Sequence, residues 1–403
     1  MNVAVRTAPV HHPDRVRVGK FARVEIFDDL AAAEDVWRRL EQQDALATPY
    51  QRFDLLAAWQ RQVGTRNGVR PFIVAGFDAG GLPVFVWPLG RRQTGPFGVV
   101  SFLGGKHVNF NFALWRRDIV ADLAADDLRA ILDHMSAQGG VDICNLLRQP
   151  RSWEGVFNPF ALLLHQPSPS DSLRLTLGAP GEDLIKAVLS SAMRGRLRTK
   201  ERRLQRLSGY RYLHATNAMD VDRLLDAFFP LKAAHMAAQA LPNIFAEPGN
   251  EAFLRECCHH GLREGNPLIE IHALEGDGEL LALFAGTSDG RRFSGMFNTY
   301  TLSDNARQSP GLILLTHIIA NLADRSLQSF DLGVGEARYK TFFCKEPEPL
   351  LVGFLPLTPL GKLAAIAARE GSRMKRHIKQ SRALWSLFQK LRQGWRGTAT
   401  DDA

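Results

Sequence analysis

The sequence predicts a mixed α/β (α+β) protein of two tandem units, each with a mixed central sheet flanked by helices. Three observations carry this. One order of elements, helix–helix–strand–strand–strand–helix–strand, is read twice along the chain. The 403 residues are 45% hydrophobic and 23% charged, the balance of a globular protein large enough for more than one buried core. No apolar run reaches the roughly 18 residues of a membrane span, and the N-terminus "MNVAVRTAPVHHPDRVRVGK" lacks the apolar stretch of a secretory signal. A cytoplasmic protein with a disordered leader over 1–20 is expected.

The N-terminal unit, 21–178, starts with two helical patterns, "DDLAAAEDVWRRLEQQ" and "RFDLLAAWQRQVG". "VRPFIVAGF" and "LPVFVWPLGRR" alternate as strands around the turn "DAGG", which makes a hairpin. "FGVVSFLGG" is a third strand, "ADDLRAILDHMSAQ" a helix and "VDICNLL" a last strand. The C-terminal unit, 210–357, repeats the order. Its helices are "AMDVDRLLDAFFPLKAAHMAAQ" and "NEAFLRECCHHGLRE". "PLIEIHAL" and "ELLALFAGTS" form the hairpin around "EGDG", and "RRFSGMFNTY" is the third strand. The helix "GLILLTHIIANLADR" and the strand "LQSFDLGV" close the unit.

Between the units, over 179–209, one long basic helix is expected. Leu189, Met193, Leu197, Leu204 and Leu207 fall near helical spacing, while Arg194, Arg196, Arg198, Lys200, Arg202, Arg203 and Arg206 cover the other faces. Such a helix is either a solvated linker or a surface for an anionic ligand or RNA; no aromatic residue interleaves its cations, which argues against single-stranded nucleic acid. The tail, 358–403, is a second basic amphipathic region with Trp385, Leu387, Phe388, Leu391 and Trp395 among lysines and arginines. It suits peripheral contact with an anionic membrane or docking on protein. The formal net charge of +8 fits anionic partners as well as plain solubility.

Several motifs resolve to ordinary structure. Cys144, Cys257, Cys258 and Cys344 make no disulfide framework. "CCHH" at 257–260 is no metal site, because adjacent helical residues point about 100° apart; no metal is expected. "GTSDG" at 286–290 has the spacing of a nucleophile elbow, but a strand follows where a helix is required, so Ser288-Asp289-Gly290 reads as a hairpin turn. "GVGEAR" has Arg338 where a dinucleotide fingerprint needs its third glycine.

The stretch "SDNARQSPGLILL" carries the most chemistry. A polar loop follows a strand, and a helix opens with Ser309 as N-cap and Pro310 at its first position. A helix start presents unpaired N–H groups and partial positive charge, Gly311 leaves room for close approach, and Arg307 adds a full charge. The loop is either an anion cradle or a capped structural helix.

"ARQSPGLILL" after one strand and "FDLGVGEARYK" after the next resemble the BioF2-like/CelD (BcsL) group of GNAT-superfamily acetyltransferases, which are related in fold to the FemAB aminoacyltransferases. The resemblance covers about 180–345, and the repeated element order extends it to the first half as two tandem GNAT-like units. The usual GNAT phosphate loop is Arg/Gln-x-x-Gly-x-Gly/Ala; here Gln308 and Gly311 match the first two anchors and Ile313 stands at the third. The resemblance implies direct acyl transfer from acetyl-CoA or another acyl-CoA to an amine or hydroxyl, with a sugar-linked acceptor in polysaccharide or envelope biosynthesis. It implies that Arg307, Gln308, Ser309 and Gly311 anchor the donor and that strand amides around Phe297–Tyr300 face its carbonyl. Asp331 and Glu336 are candidate proton acceptors, Tyr339 a candidate donor to the leaving thiolate, and Lys340 a candidate holder of a phosphate or carboxylate. In "SFLGGKHVNFNF", Lys106, His107 and Asn109 either line an acceptor cleft between the units or are structural partners. Two other readings are an aminoacyltransferase using aminoacyl-tRNA and a non-catalytic accessory protein.

Overall fold

The computed structural model describes residues 18–335 and 337–381. The leader over 1–17, the aromatic part of the tail and Glu336 lie outside the described residues. Two large sheets are present, and both have mixed strand directions. The first has eight strands: in path order Arg23–Phe27, Arg70–Phe77, Pro83–Thr94, Phe97–Phe102, Ile143–Pro150, Leu350–Pro356 and Gln166–Pro167, with Leu114–Trp115 alongside Pro83–Thr94. The second has seven: Arg211–His214, Glu270–Gly276, Glu279–Ser288, Arg292–Tyr300, Ser329–Asp331, Ser172–Thr176 and Glu346–Glu348. The repeated order predicted from sequence is present in both.

The sheets exchange strands. Leu350–Pro356, late in the chain, pairs antiparallel with Ile143–Pro150 of the first sheet. Ser172–Thr176, from the first half, pairs antiparallel with Ser329–Asp331 of the second. Sequence boundaries at 178 and 357 therefore cut through both sheets, because a strand's neighbour is set by edge hydrogen bonding and not by chain order. The main core is shared as well: Trp37, Phe53 and Phe110 of the first half and Phe228, Phe253 and Phe297 of the second belong to one buried cluster. A second cluster lies under the helix Pro310–Asp324, where Ile313, Leu314, Ile318, Ile319 and Leu322 cover Phe284, Phe293 and Phe330. Ile313 is buried there, so its bulk faces the core and not the loop.

The expected long connecting helix is two helices, Gly181–Val188 and Ser191–Leu204. Leu189 is extended, and the Ser190 side chain accepts from the Met193 N–H to start the second helix. The cap at Ser190 outweighs the continuous apolar spacing that the sequence suggested. Ser288, Asp289 and Gly290 lie at the hairpin between Glu279–Ser288 and Arg292–Tyr300, with Gly290 at φ +82°, as expected. Cys257 and Cys258 are buried in the helix Asn250–His259, whose His259 reaches Asp222 at 2.8 Å, so the "CCHH" run does not converge. No helix among the described residues is long and apolar enough to cross a membrane.

Candidate active site

The site grows from a fork in the second sheet. Arg292–Tyr300 pairs in parallel with Ser329–Asp331 over Arg292, Phe293 and Ser294. Beyond Ser294 the first strand runs on to Tyr300 without that neighbour, and its other edge stays paired to Glu279–Ser288. The register shifts between Ala285 and Gly286, which bulges the strand at Met296 and adds twist where the two strands part. After Asp331 the chain turns away through Gly333 at φ +75° and Gly335 at φ +103°, conformations that favour glycine.

A buried ion cluster holds the root of the fork. Arg292 donates from Nε to Asp331 Oδ2 at 2.8 Å and from Nη1 and Nη2 to Glu348 at 2.7 and 2.5 Å. Ser294 Oγ donates to Asp331 Oδ2 at 2.6 Å, and the Gly333 N–H donates to Oδ1 at 2.8 Å. The guanidinium lies over Trp153 and Phe110, 4.3 and 5.0 Å from the ring centres. The two carboxylates beside it hold the Arg292 pKa above its usual value, against the downward pull of burial. Asp331, a candidate base from sequence, is thus fully buried with both oxygens engaged. Its place is that of a positioning residue, and an incoming nucleophile has no access to it.

The open edge faces a groove of about 330 Å³, lined by Asn298, Tyr300, Ser309, Gly311, Leu312 and Tyr339 among others. The Thr301 N–H bonds Leu281 O at 2.9 Å. By strand alternation Thr299 and Phe297 therefore turn their peptide groups toward the paired edge, and Asn298 and Tyr300 turn theirs to the open one. Asn298 O on that edge accepts from Lys232 Nζ at 2.8 Å. Phe297 is thereby corrected as a site residue: its ring packs on Phe228 at 4.8 Å, on the far side of the sheet. Tyr339 Oη accepts from Asn298 Nδ2 at 3.4 Å, and burial raises its pKa, which keeps the phenol protonated.

The helix start bounds the other side of the groove. A Cβ placed on Gly311 would meet nothing within 4 Å, so the space in front of it is open. Pro310 has no N–H to offer, and the Gly311 N–H is one of the groups a helix start leaves without an intrahelical partner. Ser309 departs from expectation. It occupies the N-cap position at φ +56°, makes no side-chain cap, and its Oγ accepts from Lys200 Nζ at 2.8 Å. Arg307 also departs: its side chain is exposed and meets Asp304 at 3.3 Å, while its carbonyl accepts from Lys200 at 2.9 Å. Lys200, on the basic helix, is therefore a cation in direct contact with this loop. Gln308 Oε1 is 3.4 Å from Arg203 Nη1 on the same helix. A second hollow of about 460 Å³ shares Ser309 and Leu312 with the groove and is lined by Arg196, Lys200, Arg338 and Lys345.

The remaining sequence candidates divide. Lys340 Nζ donates to the carbonyls of Gly333 and Val334 at 2.9 and 3.3 Å, so it ties the turn instead of holding a ligand. The His107 ring turns into the core, accepts from Trp59 Nε1 at 3.0 Å, and is held neutral by burial, with its pKa lowered to about 4. Asn109 instead reaches the fork. Its Nδ2 donates to Gly295 O at 2.9 Å and to Tyr50 Oη at 3.0 Å. Lys232 was not read from sequence; burial lowers its amine to a pKa of about 8 beside the open edge. A lysine within an apolar helical stretch was its one signal.

Residues 191–341 match the family model of an acetyltransferase (GNAT) domain. The match contains the fork, the helix start and Tyr339, and it supports acyl transfer as the general chemistry. Among solved structures, FemX superposes with a TM-score of 0.54 at 8% identity, covering 82% of this chain and 97% of that one. The C-terminal domain of a protein assigned as a lysylphosphatidylglycerol synthetase in Agrobacterium fabrum gives 0.50 at 12% identity, covering 85% and 96%. A conserved protein of unknown function from Bacteroides thetaiotaomicron gives 0.50 at 12% identity, covering 82% and 99%. These likenesses are likenesses of fold. None of the curated proteins compared with the chain matches it.

Proposed function

We propose that the chain is a GNAT-type acyltransferase that moves an acetyl or other acyl group from acyl-CoA to an amine or hydroxyl acceptor. The observation that carries this is the convergence on one groove of an open strand edge, a helix start with free space before it, and a protonated tyrosine. The thioester carbonyl lies against the open edge, where the Asn298 or Tyr300 N–H stabilises the oxyanion. The donor phosphates take the Gly311 helix start and the cations of Lys200, Arg196 and Arg338. Attack by the acceptor forms the new C–N or C–O bond. Collapse breaks the C–S bond, and the Tyr339 phenol protonates the thiolate. The acceptor's proton passes to the neutral Lys232 amine or to water. No covalent enzyme intermediate is required. The acceptor enters from the cleft between the units, past Asn109. Its sugar-linked nature, like the narrower BioF2-like/CelD resemblance, rests on the sequence motifs.

A second reading has one favouring observation. Arg196, Arg198, Arg202 and Arg203 are exposed along the basic helix beside the groove, with Arg206 exposed just after it, which suits a polyanionic donor such as aminoacyl-tRNA. Release of CoA thiol in the presence of a panel of amino and hydroxy sugars tests the first reading. Turnover by wild type and about 100-fold slower turnover by Tyr339→Phe is expected. RNase-sensitive co-purification without acyl-CoA turnover would favour the second.

A further inference from the structure

Arg148 is an arginine that the acyl-transfer site does not use. It sits at φ +52° in the left-handed region, which costs a non-glycine residue free energy and is held only where surroundings enforce it. The surroundings are visible. Where Leu350–Pro356 pairs with Ile143–Pro150, Leu351 faces Gln149 and Gly353 faces Leu146, so Leu147 and Arg148 bulge out of the ladder. Asn111 pins the bulge from the loop opposite: its N–H donates to Arg148 O at 3.0 Å and its Nδ2 to Leu147 O at 2.8 Å. A bulge of this kind re-aims a side chain.

The re-aimed guanidinium donates to Val108 O and lines a cleft of about 620 Å³ between the units. No carboxylate pairs with it among the described residues, although burial disfavours its charge and lowers its pKa. Asn109, Val334 and Gly335 line the same cleft and connect it to the fork. Lys375, exposed on the helix Pro359–Gln380, and the hydroxyl-bearing Ser170 and Ser372 line it too. Lys106, also in the wall, is paired with Glu247.

We propose that this cleft binds an anionic group of the acceptor, a phosphate or a carboxylate, through Arg148 with help from Lys375. The acceptor role rests on the acyl-transfer reading; the anion site does not. Asn109 touches Gly295, and the open amides begin at Asn298, a distance on the order of 10 Å along an extended strand. An acceptor that starts in this cleft and reaches the open amides spans at least that length, so it is elongated, and a free α-amino acid is too short.

Calorimetric titration of the full chain with inorganic pyrophosphate, and separately with succinate, tests this. One probe binds wild type, and which one does identifies phosphate or carboxylate. Arg148→Met weakens it about 10- to 100-fold, the worth of a charge-assisted contact. Lys375→Ala weakens it less, and because that side chain is exposed the variant decides the matter if Arg148→Met fails to fold. In Gly311→Trp, where the donor-phosphate cradle is blocked, the probe still binds at the cleft, and Arg148→Met leaves acetyl-CoA binding unchanged. Failure of both probes to bind wild type overturns the proposal. So does binding that survives Arg148→Met and Lys375→Ala but is lost in Gly311→Trp, since it would then belong to the helix start. Anion binding through Arg148 without acyl-CoA binding would overturn the acyl-transfer reading alone.

Discussion

At the scale of residues, Asp331 and Tyr339 were equal candidates for proton transfer in the sequence, and their surroundings separate them. Asp331 has spent its oxygens on Arg292, Ser294 and Gly333, so Asp331→Asn should act on stability. Leaving Arg292 short of a partner in a buried cluster costs about 3–5 kcal/mol, read as a lower urea midpoint at unchanged slope. Tyr339→Phe should instead leave the urea midpoint alone and slow turnover, with acyl-CoA affinity kept. Lys232 adds a pH signature. Its amine, lowered to about 8 by burial, loses its proton as pH rises through that value, so kcat/KM should climb through about pH 8 and level off. Lys232→Met should flatten that limb, and an identical profile in the variant would remove the lysine from the proton path. Such roles were illegible in the sequence because they depend on what else reaches each oxygen and nitrogen. Gly311 was legible, since a glycine after Ser-Pro at a helix start has few structural reasons to be there. Arg148 was not, because bulge and backbone strain leave no local pattern.

At the scale of elements, the helix start and the fork are the parts on which the proposed site rests. The sequence showed the strand, the polar loop and the helix of the second unit in the right order, because alternation and a Ser-Pro-Gly helix opening are local signals. It did not show that Arg292–Tyr300 and Ser329–Asp331 part company after Ser294, since ladder length is decided by tertiary pairing. The break at Leu189–Ser190 was hidden in the same way, by apolar spacing that continues across it. That break frees the Ser191–Leu204 helix to bring Lys200 to Ser309. Lys200→Ala should therefore weaken acyl-CoA binding by about 1.5–3 kcal/mol, the scale of a charged hydrogen bond, with a smaller loss at high salt. Equal affinities at low salt would place the donor phosphates elsewhere.

At the scale of the whole molecule, the exchanged strands tie the two units to each other. Leu350–Pro356 completes the first sheet and Ser172–Thr176 the second, and the main core draws side chains from both halves. A single calorimetric unfolding transition is expected for the full chain, and two separate transitions would show that the units fold independently. Fragments 1–178 and 179–403 should each be insoluble alone, since each sheet then lacks a strand. The repeat was readable because it lies in element order, whereas the exchange was not, because it joins segments far apart in sequence. The arrangement leaves the fork of the second sheet facing the first unit across the cleft, with Asn109 at its apex. The most direct test is calorimetric titration of acetyl-CoA and longer acyl-CoAs into wild type and Gly311→Trp, with folding of both checked by thermal unfolding. The groove predicts one acyl-CoA bound per wild-type chain and loss of binding in the variant. No acyl-CoA binding by folded wild type, or equal binding by Gly311→Trp, would contradict it.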